Sequence, residues 1–218
     1  MKLLEAGKHA LTFPIVCIGG SAGALPAYLE ILSQIPVLSG SATVIVSHRA
    51  LGPQSDVLLA LLARAATVEV IEATDGMLLE PDRIFVAPPH RKITTDGVVL
   101  ILADEEPHGW PTIISDFMVS LARTCRSRAT AIILSGMGHD GSSALAAIKQ
   151  AGGRTFVQSD AGFSSMPEAA VATNCVDFLL SANGIGKHLA SRSAPPRRPA
   201  AGRRPAPRKA ASAVTRDS

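Results

Sequence analysis

The sequence predicts an α/β protein with an open, mostly parallel sheet, helices on both faces of that sheet, and one small antiparallel hairpin. Short β-branched runs alternate with helix-like patterns along most of the chain. Several of these runs are apolar on both faces, which is typical of buried parallel strands. The predicted strands read PIVCIGG, ATVIVSH, VEVIEA, RIFVAPP, TAIILSG, RTFVQS and DFLLS.

Helix patterns of suitable length fill the gaps between these strands. Strands that alternate with such helices indicate βαβ units with right-handed crossovers, which gives a Rossmann-like architecture. The segment KITTDGVVLIL breaks the alternation, because Asp96-Gly97 lies between two β-like runs and predicts a hairpin added to the sheet. The predicted helices read LPAYLEILSQI, SDVLLALLARAA, IISDFMVSLARTCR, SSALAAIKQAG and PEAAVA.

Charge divides the 218 residues unevenly. Eight of the 21 Lys and Arg residues and one of the 18 Asp and Glu residues lie from Ser191 onward, which leaves 13 basic and 17 acidic residues before it. The final segment is rich in Pro, Ala and Arg, and we expect it to be disordered and to offer nonspecific contacts to an acidic surface or nucleic acid. We therefore predict an N-terminal lead over 1–13, a catalytic domain over 14–190 and a basic tail over 191–218.

Cysteine usage and hydropathy indicate a cytoplasmic protein. The three cysteines are widely spaced and form no CxxC pair, so we expect small buried thiols in a reducing compartment. The N-terminus lacks a signal-peptide core, and no apolar run approaches the roughly 20 residues that span a bilayer. No metal or cofactor is implied by any cluster of potential ligands.

The stretch IGGSAGA at 18–24 follows the first strand and opens the first helix, where either a phosphate or a nucleophile could lie. A dinucleotide fingerprint is disfavoured, because Ile18 stands where its first glycine is needed and the second strand ends in Ser47-His48 without an acidic residue. The pattern G-x-S-x-G fits better, since it exposes a serine hydroxyl on a sharp strand-to-helix turn. The alternative is that Ser21 only caps the helix.

A serine nucleophile needs an imidazole as base and a carboxylate to orient that imidazole. His48 ends the second strand, and Asp140 lies in the glycine turn GMGHDG after a later strand. All three side chains would then meet at the carboxyl edge of one parallel sheet. The alternatives are a solvent-facing His48 and an Asp140 that caps the helix beginning near Ser142.

Five other histidines compete for the role of base. His90 ends the predicted strand RIFVAPPH and is the main competitor, while His139 adjoins Asp140 and would point away from it. The others, which have no strand-end position, are His9, His108 and His188. The order Ser, His, Asp also differs from the order in α/β-hydrolases, which disfavours an esterase of that fold.

Several motifs together resemble the protein-glutamate methylesterases of bacterial chemotaxis, the CheB catalytic domain. The resemblance runs in collinear order over about residues 14–182, and GMGHDG followed by AGG is its most specific part. The motifs that carry it are IGGSAGA, VIVSH, ATDGMLLEPDRIFVAP, GMGHDG, IKQAGGRTFVQ and MPEAA.

The resemblance implies that Ser21 is the nucleophile, His48 the base and Asp140 its orienting carboxylate. It further implies oxyanion donors at the backbone of Met137 and Ala22. The expected reaction is hydrolysis of glutamate γ-methyl esters on the cytoplasmic helices of methyl-accepting receptors, with glutamine deamidation as a candidate second activity. A separate response regulator or kinase is a candidate partner.

Some positions depart from the family pattern. Ala24 replaces a second glycine, and Arg49-Ala50 replaces a common methionine-proline pair. The family's R-P-S-x-D motif is only loosely matched by WPTIISD, which lacks the arginine and puts substrate positioning in question. Only about a dozen residues precede the first strand, so we expect no receiver domain in cis. A non-catalytic signalling or binding protein on the same fold, and a nucleotide-binding domain, remain the alternatives.

Overall fold

The computed structural model describes residues 12–48, 53–104 and 111–193. In chain order the β-strands are β1 (Ile15–Gly20), β2 (Ala42–Ser47), β3 (Glu69–Glu72), β4 (Arg83–Val86), β5 (Arg91–Thr95), β6 (Leu100–Asp104), β7 (Ala129–Ile133), β8 (Arg154–Gln158) and β9 (Phe178–Leu180). The α-helices are α1 (Leu25–Leu32), α2 (Pro53–Ala65), α3 (Ile113–Cys125), α4 (Leu145–Gln150), α5 (Ser165–Ala172) and α6 (Ala182–Ser193). Short 3₁₀ turns cover Arg126–Arg128 and Ser142–Ala144.

Seven strands form one parallel sheet in the order β3-β4-β2-β1-β7-β8-β9. The chain first places β2 on one side of β1 and later places β7 on the other side of β1. The strand order therefore reverses at β1, and ligands bind beyond the carboxyl ends of strands at such a reversal. The fold class predicted from the sequence is confirmed.

The side chains of β1 show how the sheet divides two apolar layers. Ile15 and Cys17 pack with α3, α4 and α5, whereas Val16 and Ile18 pack with α1, α2 and α6. All four are 5 % exposed or less. This burial on both faces explains why the run IVCI shows no polar alternation.

The hairpin lies elsewhere than expected. Strands β5 and β6 pair antiparallel around the Asp96-Gly97 turn, as predicted, but they form a separate two-stranded sheet instead of extending the main one. The Asp96 side chain accepts the backbone N–H groups of Val98 and Val99, which stabilises the turn. The backbone N–H of Thr95 bonds Ser120 on α3, so the hairpin covers that helix.

The chain termini lie mostly outside the described residues. The predicted lead over 1–13 is described only from residue 12, and α6 continues to Ser193, three residues beyond the predicted domain boundary at 190. The basic tail stays a prediction. No helix in the described part of the chain is long and apolar enough to cross a bilayer.

Candidate active site

The turn after β1 places Ser21 at the carboxyl edge of the sheet. Close packing requires glycine there, since a Cβ on Gly20 would lie 2.6 Å from the Tyr28 hydroxyl. Gly23 has a φ of +70°, a conformation that costs other residues free energy. Helix α1 begins at Leu25 with Ala24 as its N-cap and no capping side chain, so Ser21 does not have the capping role considered as the alternative.

Ser135, which follows β7, holds this turn in place. Its backbone carbonyl accepts the N–H of Ser21 at 2.9 Å, and its hydroxyl donates to the carbonyl of Ala22 at 2.8 Å. The Ser135 hydroxyl also accepts the N–H of Phe163 at 2.9 Å. Because Ser135 is fully buried, these bonds fix the serine turn to the neighbouring strand.

His48 follows β2 at the same edge. In the parallel pairing of β1 with β2, Gly20 lies opposite Ser47. Ser21 and His48 each follow this pair by one residue. The Nε2 atom of His48 lies 2.9 Å from Oδ2 of Asp140, and the His48 side chain is 21 % exposed. A solvent-facing histidine, the alternative reading of this residue, is therefore excluded.

Asp140 accepts hydrogen bonds from the first turn of α3. The N–H of Ile114 donates to Oδ2 at 2.9 Å, while the N–H and hydroxyl of Ser115 donate to Oδ1 at 3.0 and 2.6 Å. The N–H of Gly141 adds a bond of 2.8 Å to Oδ1. A helix N-terminus carries partial positive charge and unpaired N–H groups, so it stabilises the carboxylate as an anion.

The electrostatics of Asp140 follow from these contacts. Burial of the carboxyl would by itself raise its pKa, but the hydrogen bonds from His48, Ser115 and the α3 backbone outweigh burial and hold the pKa below its usual value. The side chain is 4 % exposed. Asp140 also does not cap the following 3₁₀ turn, whose cap position is Gly141 with no capping side chain.

An ionised Asp140 decides the tautomer of His48. Because a carboxylate only accepts hydrogen bonds, Nε2 of His48 must carry the proton that it shares with Asp140. The neutral ring then has its free electron pair on Nδ1. Within the described residues no hydrogen bond joins the Ser21 hydroxyl to His48, and such bonds commonly tighten only when substrate is present.

The competing histidines lie in other environments. His90 is exposed in the turn between β4 and β5 with a φ of +54°, and the exposed His139 side chain follows Gly138 in the glycine turn. His188 on α6 packs against the rings of Phe156 and Phe178. His9 and His108 lie outside the described residues.

The two predicted oxyanion donors have open backbone N–H groups. Neither Ala22 nor Met137 donates its N–H to any other residue in the described ranges. The side chain of Met137 is 62 % exposed, so it borders solvent beside the turn that carries Asp140. Within those ranges, both N–H groups are available for the oxyanion role that the sequence predicts.

Two residues of this constellation were missed from the sequence. Ser115 orients Asp140, and Ser135 fixes the serine turn. The loosely matched segment WPTIISD contains Ser115 and the first turn of α3, so part of it serves the carboxylate directly. For Ser135 the available signal was its place at the end of β7, immediately before GMGHDG.

The chain is similar to known proteins of one family. A family model described as CheB methylesterase matches residues 16–189. A protein-glutamate methylesterase/protein-glutamine glutaminase of Anaeromyxobacter dehalogenans is 33 % identical over 181 residues, which cover 81 % of this chain and 53 % of that protein. A protein of the same name from Methanospirillum hungatei is 31 % identical over 187 residues, covering 80 % of this chain and 55 % of the relative.

Among solved structures, the CheB methylesterase catalytic domain of Thermotoga maritima superimposes with a TM-score of 0.77 at 24 % identity, covering 83 % of this chain and 99 % of that one. This likeness supports the fold. The chain spans about half the length of the curated relatives described above. Its extended match to the family model, together with these relatives, shows that the chain belongs to the CheB methylesterase family.

Proposed function

We propose that this protein is a serine hydrolase that removes γ-methyl esters from glutamates of methyl-accepting chemotaxis-type receptors in the cytoplasm. The observation that carries the proposal is the hydrogen bond of 2.9 Å between His48 and an Asp140 carboxylate held by the α3 N-terminus. That pair lies at the end of the strand next to the Ser21 turn.

In the proposed first step, Ser21 Oγ attacks the ester carbonyl carbon and passes its proton to Nδ1 of His48. The carbonyl oxygen becomes an oxyanion, which the N–H groups of Ala22 and Met137 stabilise. Collapse of this intermediate breaks the bond to the methoxy oxygen. The proton on His48 transfers to that oxygen, and methanol leaves a glutamyl ester on Ser21.

In the second step, a water molecule gives a proton to His48 and attacks the acyl carbon. The bond to Ser21 Oγ breaks, and His48 returns the proton to the serine, which releases the glutamate side chain as a carboxylic acid that then loses its proton to solvent. Asp140 stays ionised and stabilises the imidazolium in both steps. With a glutamine side chain the same steps would release ammonia, and the names of the relatives support this second reaction.

The surface around the site supports a protein substrate. The side chains of Met137 and Phe163 are 62 % and 46 % exposed, and a Cβ on Gly23 would contact the Phe163 ring at 2.7 Å. Phe163 therefore lies beside the serine turn. Exposed apolar side chains next to a polar centre fit one face of an amphipathic receptor helix.

The deciding experiment measures methanol release from methylated receptor by the wild type, Ser21→Ala and Ser33→Ala proteins. Ser33 is a matched control, because it lies at the end of α1 and, among the described residues, its hydroxyl bonds only the local carbonyl of Glu30. We expect Ser21→Ala to lose methanol release and remain folded, with Ser33→Ala unchanged. Full turnover by Ser21→Ala would disprove the mechanism. A wild-type protein that binds receptor without releasing methanol or ammonia would support the non-catalytic alternative.

A further inference from the structure

We propose that a second site, at the sheet edge opposite Ser21, binds a phosphate-bearing small molecule. A cavity of about 400 Å³ opens where β1, β2, β7 and β8 begin, beside the end of α6. Ligand cavities for small molecules commonly measure about 300–1,000 Å³. The site is unrelated to the glycine turn at which nucleotide binding was disfavoured.

Three arginines line this cavity. Arg128 precedes β7, Arg154 begins β8, and Arg192 lies in the last turn of α6. Among the described residues none of the three forms an ion pair, whereas Arg83 and Arg91 on the strands β4 and β5 both do. The described residues that line the cavity include no acidic side chain.

The guanidinium of Arg128 is incompletely hydrogen-bonded by the described residues. Its Nε atom is buried and has no hydrogen-bond partner among the described residues. The thiol of Cys125 is its neighbour: burial raises the pKa of that thiol, while a hydrogen bond with Thr124 and the charge and hydrogen bond of Arg128 act in the opposite direction. A neutral thiol does not balance a guanidinium, so Arg128 has no countercharge within the described ranges.

Arg154 adds positive potential to the same region. Burial lowers the pKa of His188, and the charge of Arg154 lowers it further, so the two groups lie within electrostatic range. The Nε2 atom of His188 is also buried without a partner in the described parts of the chain. An anion bound near Arg154 would balance the charge of that guanidinium.

The rest of the lining favours phosphate over a simple counterion. Hydroxyl groups of Ser41, Ser127 and Thr130 stand among the arginines, and the Phe156 ring supplies an apolar wall. Guanidinium groups bind phosphate oxygens in pairs, and hydroxyl groups donate to the remaining oxygens. The carboxylate of Asp82 accepts hydrogen bonds from Ser39, a lining residue, and from the N–H of Gly40, so it is already engaged.

The ligand should not compete with ester substrate. The six-residue strand β1 separates Pro14 at the cavity from the Ser21 turn. At about 3.3 Å per residue the two sites lie roughly 20 Å apart. Binding can therefore be tested without any measurement of hydrolysis, and its outcome is independent of the function proposed above.

The test uses the full chain and measures thermal unfolding and calorimetric titration with pyrophosphate, ADP and citrate at constant ionic strength. We expect pyrophosphate and ADP to bind saturably and to raise the unfolding midpoint, because they bind only the folded cavity. Arg154→Gln and the exposed Arg192→Gln should each weaken binding at least tenfold. Arg123→Gln, an exposed arginine on α3 away from the cavity, should bind as the wild type does.

Tighter binding of ADP than of pyrophosphate would identify a nucleotide, and the reverse would identify phosphate groups alone; both results support the site. Equal affinity in Arg154→Gln, Arg192→Gln and Arg123→Gln would overturn it, since the anions would then bind elsewhere, such as the basic tail. Saturable binding of citrate without pyrophosphate would overturn the phosphate class. Absence of saturable binding at millimolar concentrations would overturn the site itself.

Discussion

The Ser115 hydroxyl lies 2.6 Å from Oδ1 of Asp140, while His48 Nε2 lies 2.9 Å from Oδ2 of the same carboxylate. One oxygen is thus held by the start of α3 and by Gly141, and the other faces the imidazole together with Ile114. This arrangement keeps the carboxylate ionised and fixes its direction. It also makes Ser115 a positioning residue for the proposed reaction, because it acts through Asp140 and not on the substrate.

We predict that Ser115→Ala lowers kcat for methanol release about 10- to 100-fold, because a hydrogen bond to a charged group contributes about 1.5–3 kcal/mol. Its KM should change little. Ser143→Ala is the matched control, since its hydroxyl lies 3.4 Å from that of Ser115 but makes no bond to Asp140. Rescue by Ser115→Thr, which restores the hydroxyl, would support positioning; equal activity of Ser115→Ala and Ser143→Ala would contradict it.

Asp140→Asn should lower kcat by about 10³- to 10⁴-fold while substrate still binds. The NH2 group of the new amide is a donor and would face the N–H donors of Ile114 or Ser115. The neutral amide could also no longer stabilise the His48 cation. Asp177→Asn is the control, because it removes a carboxylate that also accepts a backbone hydrogen bond but lies outside the proposed site. Asp177 accepts bonds from Thr155 and Lys149. Single-turnover kinetics on both variants measure the loss of activity. Comparable losses of activity in Asp140→Asn and Asp177→Asn would indicate that only stability had changed.

The depressed pKa of Asp140 has a consequence for stability in acid. Because the folded-state pKa lies below the unfolded value of about 3.9, the ionised carboxylate stabilises the fold fully above about pH 4. That contribution is lost as the pH falls through the folded-state pKa. The difference in unfolding free energy between wild type and Asp140→Asn should therefore shrink from pH 6 towards pH 3 in urea titrations. A difference that stays constant over this range would refute the assignment.

Alanine substitutions at two glycines distinguish the cost of backbone strain from the effect of disturbing the site. Gly23 and Gly40 have similar φ values of +70° and +67°, so alanine at either should cost roughly 1–2 kcal/mol of stability. A Cβ on Gly23 would also lie 2.7 Å from the Phe163 ring and 3.0 Å from the Ser135 hydroxyl, whereas Gly40 faces open space. We expect only Gly23→Ala to reduce methanol release. Chemical denaturation and the methanol assay on both variants test this, and loss of activity in Gly40→Ala would count against it.

The elements that could be predicted from the sequence are those defined by local pattern. Strand β1 is apolar on both faces and is followed by a glycine turn, so its burial and the position of Ser21 are readable from 15–23 alone. His48 follows in the same way from the end of β2. Asp140 needed the distant motif GMGHDG, and its bond to His48 joins residues 92 positions apart.

The remaining features depend on packing between distant segments. Ser135 bonds Ala22 across 113 positions, and serine is too common at strand ends for its role to be recognised from sequence. The hairpin was predicted from Asp96-Gly97, but its packing on α3 depends on tertiary contacts such as Thr95 with Ser120. The three arginines of the cavity come from separate elements, and only the parallel sheet brings the starts of those elements together.

The proposed reacting groups follow β1 and β2 and lie in the turn after β7, so their order along the chain is irrelevant to the proposed chemistry. What the site requires is that these three strands be neighbours and point the same way. Lineages that join the strands differently can therefore arrive at the same hydrolytic apparatus, and a protein engineer could reconnect the loops of this one without redesigning it. Insertion of an additional strand between β1 and β2, in contrast, would move Ser21 and His48 apart by a full strand spacing of about 4.8 Å and should prevent the proton transfer proposed between them.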